Sequence, residues 1–229
     1  LYANGSVKQA STNTGTLAKT GYIFTGWNTT NDGTGTHYDV NANITTTGDV
    51  TLYAEWRGAI TYNGNSATSG SVPSAVTVYA NGPQVPASTN TGTLVRTNYT
   101  FTGWNTSNDG TGTHYNVNAN ITITGDMTLY AEWQGTITYD GNSQTSGSIP
   151  SAVTVYANGS PVVLSTNTGT LAKTNYTFTG WNTTTDGTGT HYDVNANMTI
   201  TGDTTLYAEW KNTITYNANG ATSGSVPSV

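Results

Sequence analysis

The 229-residue sequence contains no cysteine, so it offers neither a disulfide framework nor a thiolate metal site. Charge is scarce as well: Asp, Glu, Lys and Arg make up 8% of the chain, against roughly 25% in ordinary soluble domains. The six basic residues are scattered and leave no electrostatic footprint for phosphate, which excludes nucleic acid as a partner. No apolar run approaches the roughly 20 residues that cross a bilayer, and nothing is both basic and amphipathic, so this segment does not insert into membranes. Helix formers are few: three Glu, four Lys, two Arg and eight Leu. Leu, Ile, Val and Phe total about 16%, below the roughly 20% that warns of disorder in highly charged chains. This chain has a net charge of only -6, and 15 Tyr and six Trp restore apolar surface.

What remains is Thr (50), Gly (27), Asn (26) and Ser (17), together more than half the chain. Thr, Val, Ile, Tyr and Trp favour a pleated, half-buried surface. The composition therefore predicts a mostly β fold with polar, uncharged faces and little helix.

Repetition organises the sequence. Trp27, Trp104 and Trp181 are spaced by 77 residues, as are Trp56, Trp133 and Trp210. The stretch 21–56 matches 98–133 and 175–210 at 30 of 36 positions each. Near-identical copies disfavour any function that needs one special site. The phase predicts an incomplete repeat at 1–56 lacking its first strand, complete repeats at 57–133 and 134–210, and the opening strand of a further repeat at 211–229. With no initiator Met, this phase raises the expectation of a window of a longer array or a processed protomer.

Within a repeat, strands are predicted at Ile60-Thr61-Tyr62, Val76-Thr77-Val78-Tyr79, Thr100 to Trp104, Thr113-His114-Tyr115, Ile121-Thr122-Ile123 and Met127 to Trp133. Asn63-Gly64 and Asn81-Gly82 mark turns. In the last strand Met127, Leu129, Ala131 and Trp133 share one face, and Thr128, Tyr130 and Glu132 the other. A helical turn fits only at 89–97, and Gln134-Gly135-Thr136 reads as a very short linker.

Asn98-Tyr99-Thr100-Phe101-Thr102-Gly103-Trp104-Asn105, Asp109-Gly110-Thr111-Gly112-Thr113 and the ending Leu129-Tyr130-Ala131-Glu132-Trp133 resemble the Listeria–Bacteroides repeat, the internalin B-repeat family. The copy Gly21-Tyr22-Ile23-Phe24-Thr25-Gly26-Trp27 is the most similar to the family pattern. The resemblance covers nearly the whole chain. It implies β-grasp-like small domains in tandem, in extracellular bacterial surface proteins, acting as spacers, stalks or adhesion modules without catalysis.

Candidate sites are sparse. Trp27, Trp56, Trp104, Trp133, Trp181 and Trp210 are expected in the core, since each aromatic buries about 150–250 Å²; a sugar-stacking platform is the alternative. His37, His114 and His191 recur five residues after Asp32, Asp109 and Asp186. One such pair per repeat is too sparse for zinc, and no nucleophile recurs beside it. The other repeated acids are Glu55, Glu132 and Glu209, and Asp49, Asp126 and Asp203. Asn31-Asp32-Gly33-Thr34-Gly35 faintly suggests a calcium loop but lacks the later acidic ligands, so a hairpin turn is the better reading. No Lys position is shared by all repeats, which excludes a repeated Lys–Asn staple. The segments after each Tyr-Ala-Asn-Gly (6–10, 83–87, 160–164) diverge most and read as drifting loops. No catalytic, cofactor or metal site is expected.

The expected role is an extracellular array forming a stalk, fibre or filament, with a carbohydrate- or surface-binding adhesin module as the alternative. The expected partners are adjacent repeats or copies of the chain itself, joined through Thr213, Ile214, Thr215 and Tyr216, with a glycan as the alternative partner. A 77-residue unit has a radius of gyration of about 11–12 Å, and three in line extend roughly 100 Å. Small-angle scattering checks this: an elongated particle is expected, and a compact globule contradicts it.

Overall fold

The structure, a computed structural model, describes residues 6–227. It divides into two compact units, Leu1–Trp133 and Gln134–Val229. The described residues form strands, turns and loops and no helix.

The first unit contains β1 (Ser6–Gln9), β2 (Ile23–Asn28), β3 (His37–Tyr38), β4 (Asn43–Thr46), β5 (Tyr53–Asn63), β6 (Val76–Tyr79), β7 (Val85–Pro86), β8 (Thr100–Asn105), β9 (His114–Tyr115), β10 (Asn120–Ile121) and the first half of β11 (Met127–Asp140). Strand β5 closes one repeat and opens the next without a break. Its first half pairs antiparallel with β2, and its second half pairs antiparallel with β6. The same second half lies parallel to the start of β11, with Ile60 opposite Met127 and Asn63 opposite Tyr130. Strand β8 pairs with β11 and β9, while β1–β4 and β7–β10 form separate two-stranded ladders.

The second unit repeats this plan. The second half of β11 pairs antiparallel with β12 (Val153–Tyr156) and parallel with β17 (Thr204–Lys211). Strand β17 pairs with β14 (Thr177–Asn182), which pairs with β15 (His191–Tyr192), and β13 (Val162–Val163) pairs with β16 (Asn197–Met198).

The parallel pair forms the floor of the core. Ile60, Leu129, Ala131, Ile137, Leu206 and Ala208 are fully enclosed. On the opposite face Thr61 and Thr128 hydroxyls meet at 3.0 Å, as do Thr138 and Thr205. Aromatics fill the space above. Phe101 meets Trp104 and Trp133 edge-on at 5.3 and 5.6 Å, and Tyr62 meets Trp104 at 4.6 Å. A bulge makes this cluster possible. In β2, Thr25 and Gly26 both stand opposite Glu55. The extra residue shifts the strand's parity, so Phe24 and Trp27, three apart, face the same side at 5.5 Å. Gly26 has φ +141°, and a Cβ there would lie 2.5 Å from the Tyr38 carbonyl oxygen, so only glycine fits.

The six tryptophans are enclosed to different degrees. Trp104, Trp133 and Trp181 are buried, whereas Trp27, Trp56 and Trp210 are half-buried. Trp104 and Trp181 are capped by Tyr62 and Tyr139 from the opening strand of their own repeat.

Three local expectations are corrected. Residues 89–97 make no helical turn: the Asn90 side chain both accepts from Leu94 N at 2.7 Å and donates to Leu94 O at 2.9 Å, fixing the loop across four residues. Gln134-Gly135-Thr136 is not a linker but lies inside β11. The divergent segments after Tyr-Ala-Asn-Gly hold strands, since β1, β7 and β13 pair with β4, β10 and β16. Backbone pairing leaves side-chain identity free along them, which accounts for their divergence, until Ala10, Ala87 and Leu164 enter the core.

Replacing Trp104 by Ala is expected to cost about 3–5 kcal/mol. Trp27→Ala should cost clearly less, because its ring is already partly in water. Urea unfolding followed by fluorescence checks the order.

Candidate functional site

The most elaborate polar arrangement in each repeat surrounds a buried glutamate. Glu55 and Glu132 are 3% exposed and Glu209 is 8% exposed. Strand alternation turns each away from the tryptophan beside it, onto the face covered by the loop between the bulged strand and the following His-Tyr strand. Burying a carboxylate is expensive unless it is paired, and here donors converge on it.

In the second repeat Asn105 Nδ2 donates to Glu132 Oε2 at 2.8 Å, and Thr102 Oγ1 donates to Oε1 at 2.9 Å. His114 Nδ1 lies 3.0 Å from Oε1. The first repeat places Asn28, Thr25 and His37 around Glu55 at 2.7, 3.1 and 3.0 Å, and adds Arg57 Nη2 at 2.6 Å. His37 Nδ1 is close but out of line for a hydrogen bond. In the third repeat Asn182 and His191 bond Glu209 at 2.8 and 3.0 Å, and Lys211 Nζ stands at 3.1 Å. The second nitrogen of each imidazole meets Asp39, Asn116 or Asp193 at 3.1–3.2 Å.

Each Asn ties this centre to the Asp-Gly turn. Asn28 Oδ1 accepts from Thr30 N at 3.0 Å, and Asp32 Oδ1 accepts from Thr30 Oγ1, Thr34 N and Thr34 Oγ1 at 2.7, 3.0 and 2.7 Å. These donors, with the Thr30 hydroxyl foremost, hold the Asp32 carboxyl at about 2; Ser107 and Thr111 do the same to Asp109, and Thr188 and Thr184 to Asp186. Each aspartate serves its own turn, not the histidine five residues on. The histidine instead meets the glutamate 18 residues later.

Burial opposes ionisation of Glu209, but Asn182, His191 and Lys211 outweigh it and bring its carboxyl down to about 2. Burial likewise opposes ionisation of Glu55, and Asn28, Arg57 and His37 hold it below its ordinary value. Glu209, followed by Asp193, raises His191, which stands between two carboxylates and donates to both when protonated. With both carboxylate oxygens held by fixed donors, this centre suits a bolt that fixes the loop to the closing strand.

Sequence reading singled out the tryptophans, histidines and aspartates but did not connect Glu with Asn. A usable signal existed: Asn28, Asn105 and Asn182, and Glu55, Glu132 and Glu209, are identical in all three copies. Trp27, Trp104 and Trp181 each donate Nε1–H to a serine carbonyl, of Ser11, Ser88 and Ser165, at 2.6–2.8 Å. Trp133 and Trp210 donate to Gly64 and Gly141 carbonyls at 3.0 Å. Thr213, Ile214, Thr215 and Tyr216 are exposed and form no strand in this chain.

The family model of the Listeria-Bacteroides repeat domain matches residues 3–55, 59–132 and 136–209. A protein of Evansella cellulosilytica named "Putative Gly-rich membrane protein" is 38% identical over 144 residues, 58% of this chain and 16% of that relative. A second protein of the same bacterium, named "Putative membrane protein", is 37% identical over 92 residues, 38% of this chain and 14% of its own length. The chain thus spans only a small part of either relative.

The pH dependence of the second unit follows from the two shifts. Glu209 is depressed from 4.5 to about 2, so its contribution is present above pH 4.5 and lost as pH falls toward 2. His191 is raised above 6.5, so its contribution is present below pH 6.5 and lost as pH rises through the raised value. Thermal unfolding of the full chain from pH 2 to 9 is expected to show the second unit's transition highest between these limits. His191→Asn should flatten the alkaline limb and leave most of the acid limb.

Proposed function

The chain belongs to the Listeria-Bacteroides repeat domain family, and from that premise we propose that it is a force-bearing structural segment of an extracellular surface protein. One observation carries the reading. Strand β5 closes one repeat and opens the next as a single run, so tension passes along backbone and not through a flexible joint. Within the complete repeat 57–133 the opening and closing strands lie side by side and parallel. Pulling the two ends apart therefore loads their hydrogen bonds together, in shear. The buried Asn–Glu–His centre bolts the covering loop to the same closing strand. Low charge, the absence of cysteine and relatives named as membrane proteins accord with a location outside the cell at its surface. The role is structural, not enzymatic.

Single-molecule pulling of the chain tests the proposal. Complete repeats should unfold one at a time, each releasing about 250 Å of chain for 77 residues. Thr128→Pro, inside the parallel pair, should lower the force of one event and spare the other. Smooth extension without separate events would sink the reading. Protease shaving of intact cells that make the protein tests the location, and failure to release repeat peptides would argue against the surface.

A further inference from the structure

The turn that follows β5 in the repeat 57–133 opens with Asn63-Gly64. We propose that this turn is a site of spontaneous deamidation: the Gly64 nitrogen attacks the Asn63 side-chain amide, ammonia leaves, and water opens the succinimide so formed to an aspartyl or isoaspartyl residue.

The fold prepares the first step. Asn63 is exposed to water, and its Oδ1 accepts from Asn65 N at 2.8 Å. Gly64 N lies within the ring that this bond closes, so the side-chain amide is folded back over the Gly64 peptide. The Asn65 N–H also stands on the oxygen that gains negative charge as the amide carbon becomes tetrahedral. The turn is held through the Gly64 carbonyl, which accepts from Ala67 N and from Trp133 Nε1, both at 3.0 Å. Among the described residues nothing accepts from Gly64 N–H, and glycine has no Cβ to hinder its approach. The other Asn-Gly pairs of the complete repeats are Asn81-Gly82 and Asn158-Gly159. There the glycine nitrogens are engaged: Gly82 N donates to the Tyr79 carbonyl and Gly159 N to the Tyr156 carbonyl, each at 3.1 Å. The Asn81 amide is further tied to the Asn31 carbonyl at 3.1 Å. Attack at those sites costs these bonds first.

The third repeat already carries the aspartyl product. Asp140 stands where the second repeat has Asn63, and the turn around it is the same. Asn142 N donates to Asp140 Oδ1 at 2.7 Å. The Gly141 carbonyl accepts from Gln144 N at 3.1 Å and from Trp210 Nε1 at 3.0 Å. The left-handed pair is kept too, with φ +48° and +65° at Asn65 and Ser66 against +49° and +64° at Asn142 and Ser143. A carboxylate at position 63 therefore costs the turn none of its bonds.

The steps balance with water as the only co-reactant. Gly64 N gives its proton to base as it bonds Asn63 Cγ, and the bond from Cγ to the amide nitrogen breaks, releasing ammonia. Water then adds to one of the two ring carbonyls. Attack at Cγ breaks the new bond and leaves aspartate on an unaltered backbone. Attack at the main-chain carbonyl breaks the original peptide bond, so the chain runs through Cγ and is one methylene longer. Each product adds one negative charge, and nothing is oxidised or reduced. The longer route disturbs what the turn holds: the Gly64 carbonyl on Trp133, and the Asn65 amide, which bridges the Asn108 and Ala131 carbonyls at 2.8 and 2.9 Å. The aspartyl product keeps these contacts, as Asp140 does. The reaction does not depend on where the protein resides.

Incubation of the folded chain in mildly alkaline buffer, followed by proteolysis and mass spectrometry, tests the proposal. The peptide holding Asn63 is expected to gain the mass difference between OH and NH2 first, with the peptides holding Asn81 and Asn158 lagging. In urea-unfolded chain the three sites should react at similar rates, which assigns the order to the fold. Gly64→Ala should slow conversion at Asn63 by about tenfold or more. Alanine is already present at the equivalent position as Ala218, and a Cβ at Gly64 meets Ala67 Cβ at 3.3 Å and nothing nearer. Asn63→Asp should unfold like the fresh parent chain and its peptide should coelute with one of the two products. Asn63 intact when the unfolded chain has converted, Asn81 or Asn158 leading in the folded chain, or Gly64→Ala reacting as fast as the parent would each overturn the proposal.

Discussion

The parallel pairing of the first and last strands in the repeats 57–133 and 134–210 is the contact on which the rest of their fold depends. It joins residues 67 positions apart, Ile60 with Met127 and Ile137 with Thr204, so it closes the repeat as a whole. Loop closure over that span is entropically costly, and enclosure of Ile60, Leu129 and Ala131 offsets it. The same pairing carries Tyr62 over Trp104 and sets its hydroxyl against the Ser88 peptide. Among the described residues no strand lies parallel to residues 50–53; there β5 begins only at Tyr53, and Leu52 and Trp27 are half-buried.

A chain with so few large aliphatics makes its core from aromatics, and aromatics need edge-to-face placement. The bulge at Gly26 and at Gly180 answers this, because it brings a Phe and a Trp three residues apart onto one face. Tryptophan also carries an N–H that burial would leave unsatisfied, and a serine carbonyl accepts it in every copy. The aromatic layer is therefore hydrogen-bonded to the loops around it, not merely packed against them.

The polar layer on the other face of the closing strand follows the same economy. Three glutamates account for all the Glu in the chain, and all three are buried. A buried carboxylate with fixed donors is rigid and costly to disturb. That suits a mechanical element better than a reaction centre, where a group must change its partners. The residue two beyond each glutamate differs, Arg57, Gln134 or Lys211, so the copies differ in charge at the one place where each repeat passes into the next.

Much was legible in the sequence because repetition exposes it. The 77-residue period, the β character, the aromatic anchors and the family motifs depend on local residue types and spacing, and these survive without coordinates. The Thr-Leu-Tyr-Ala-Glu-Trp alternation even placed Glu132 opposite Trp133. Periodicity could not say that the face opposite tryptophan is also buried, because a second covering layer comes from a loop some 20 to 30 residues upstream. Nor could it say that Gln134-Gly135-Thr136 is strand, since glycine reads locally as a break while pairing with β12 is a non-local gain. Asn90 reads as a loop or turn residue, and only the position of Leu94 shows that its side chain replaces a helical turn. The sequence by itself determined the unit, its period and its aromatic content, which are properties of composition and order. Tertiary structure alone decided which strands lie parallel and which glutamate meets which histidine, because those contacts are set by closure of the whole repeat and not by neighbours along the chain.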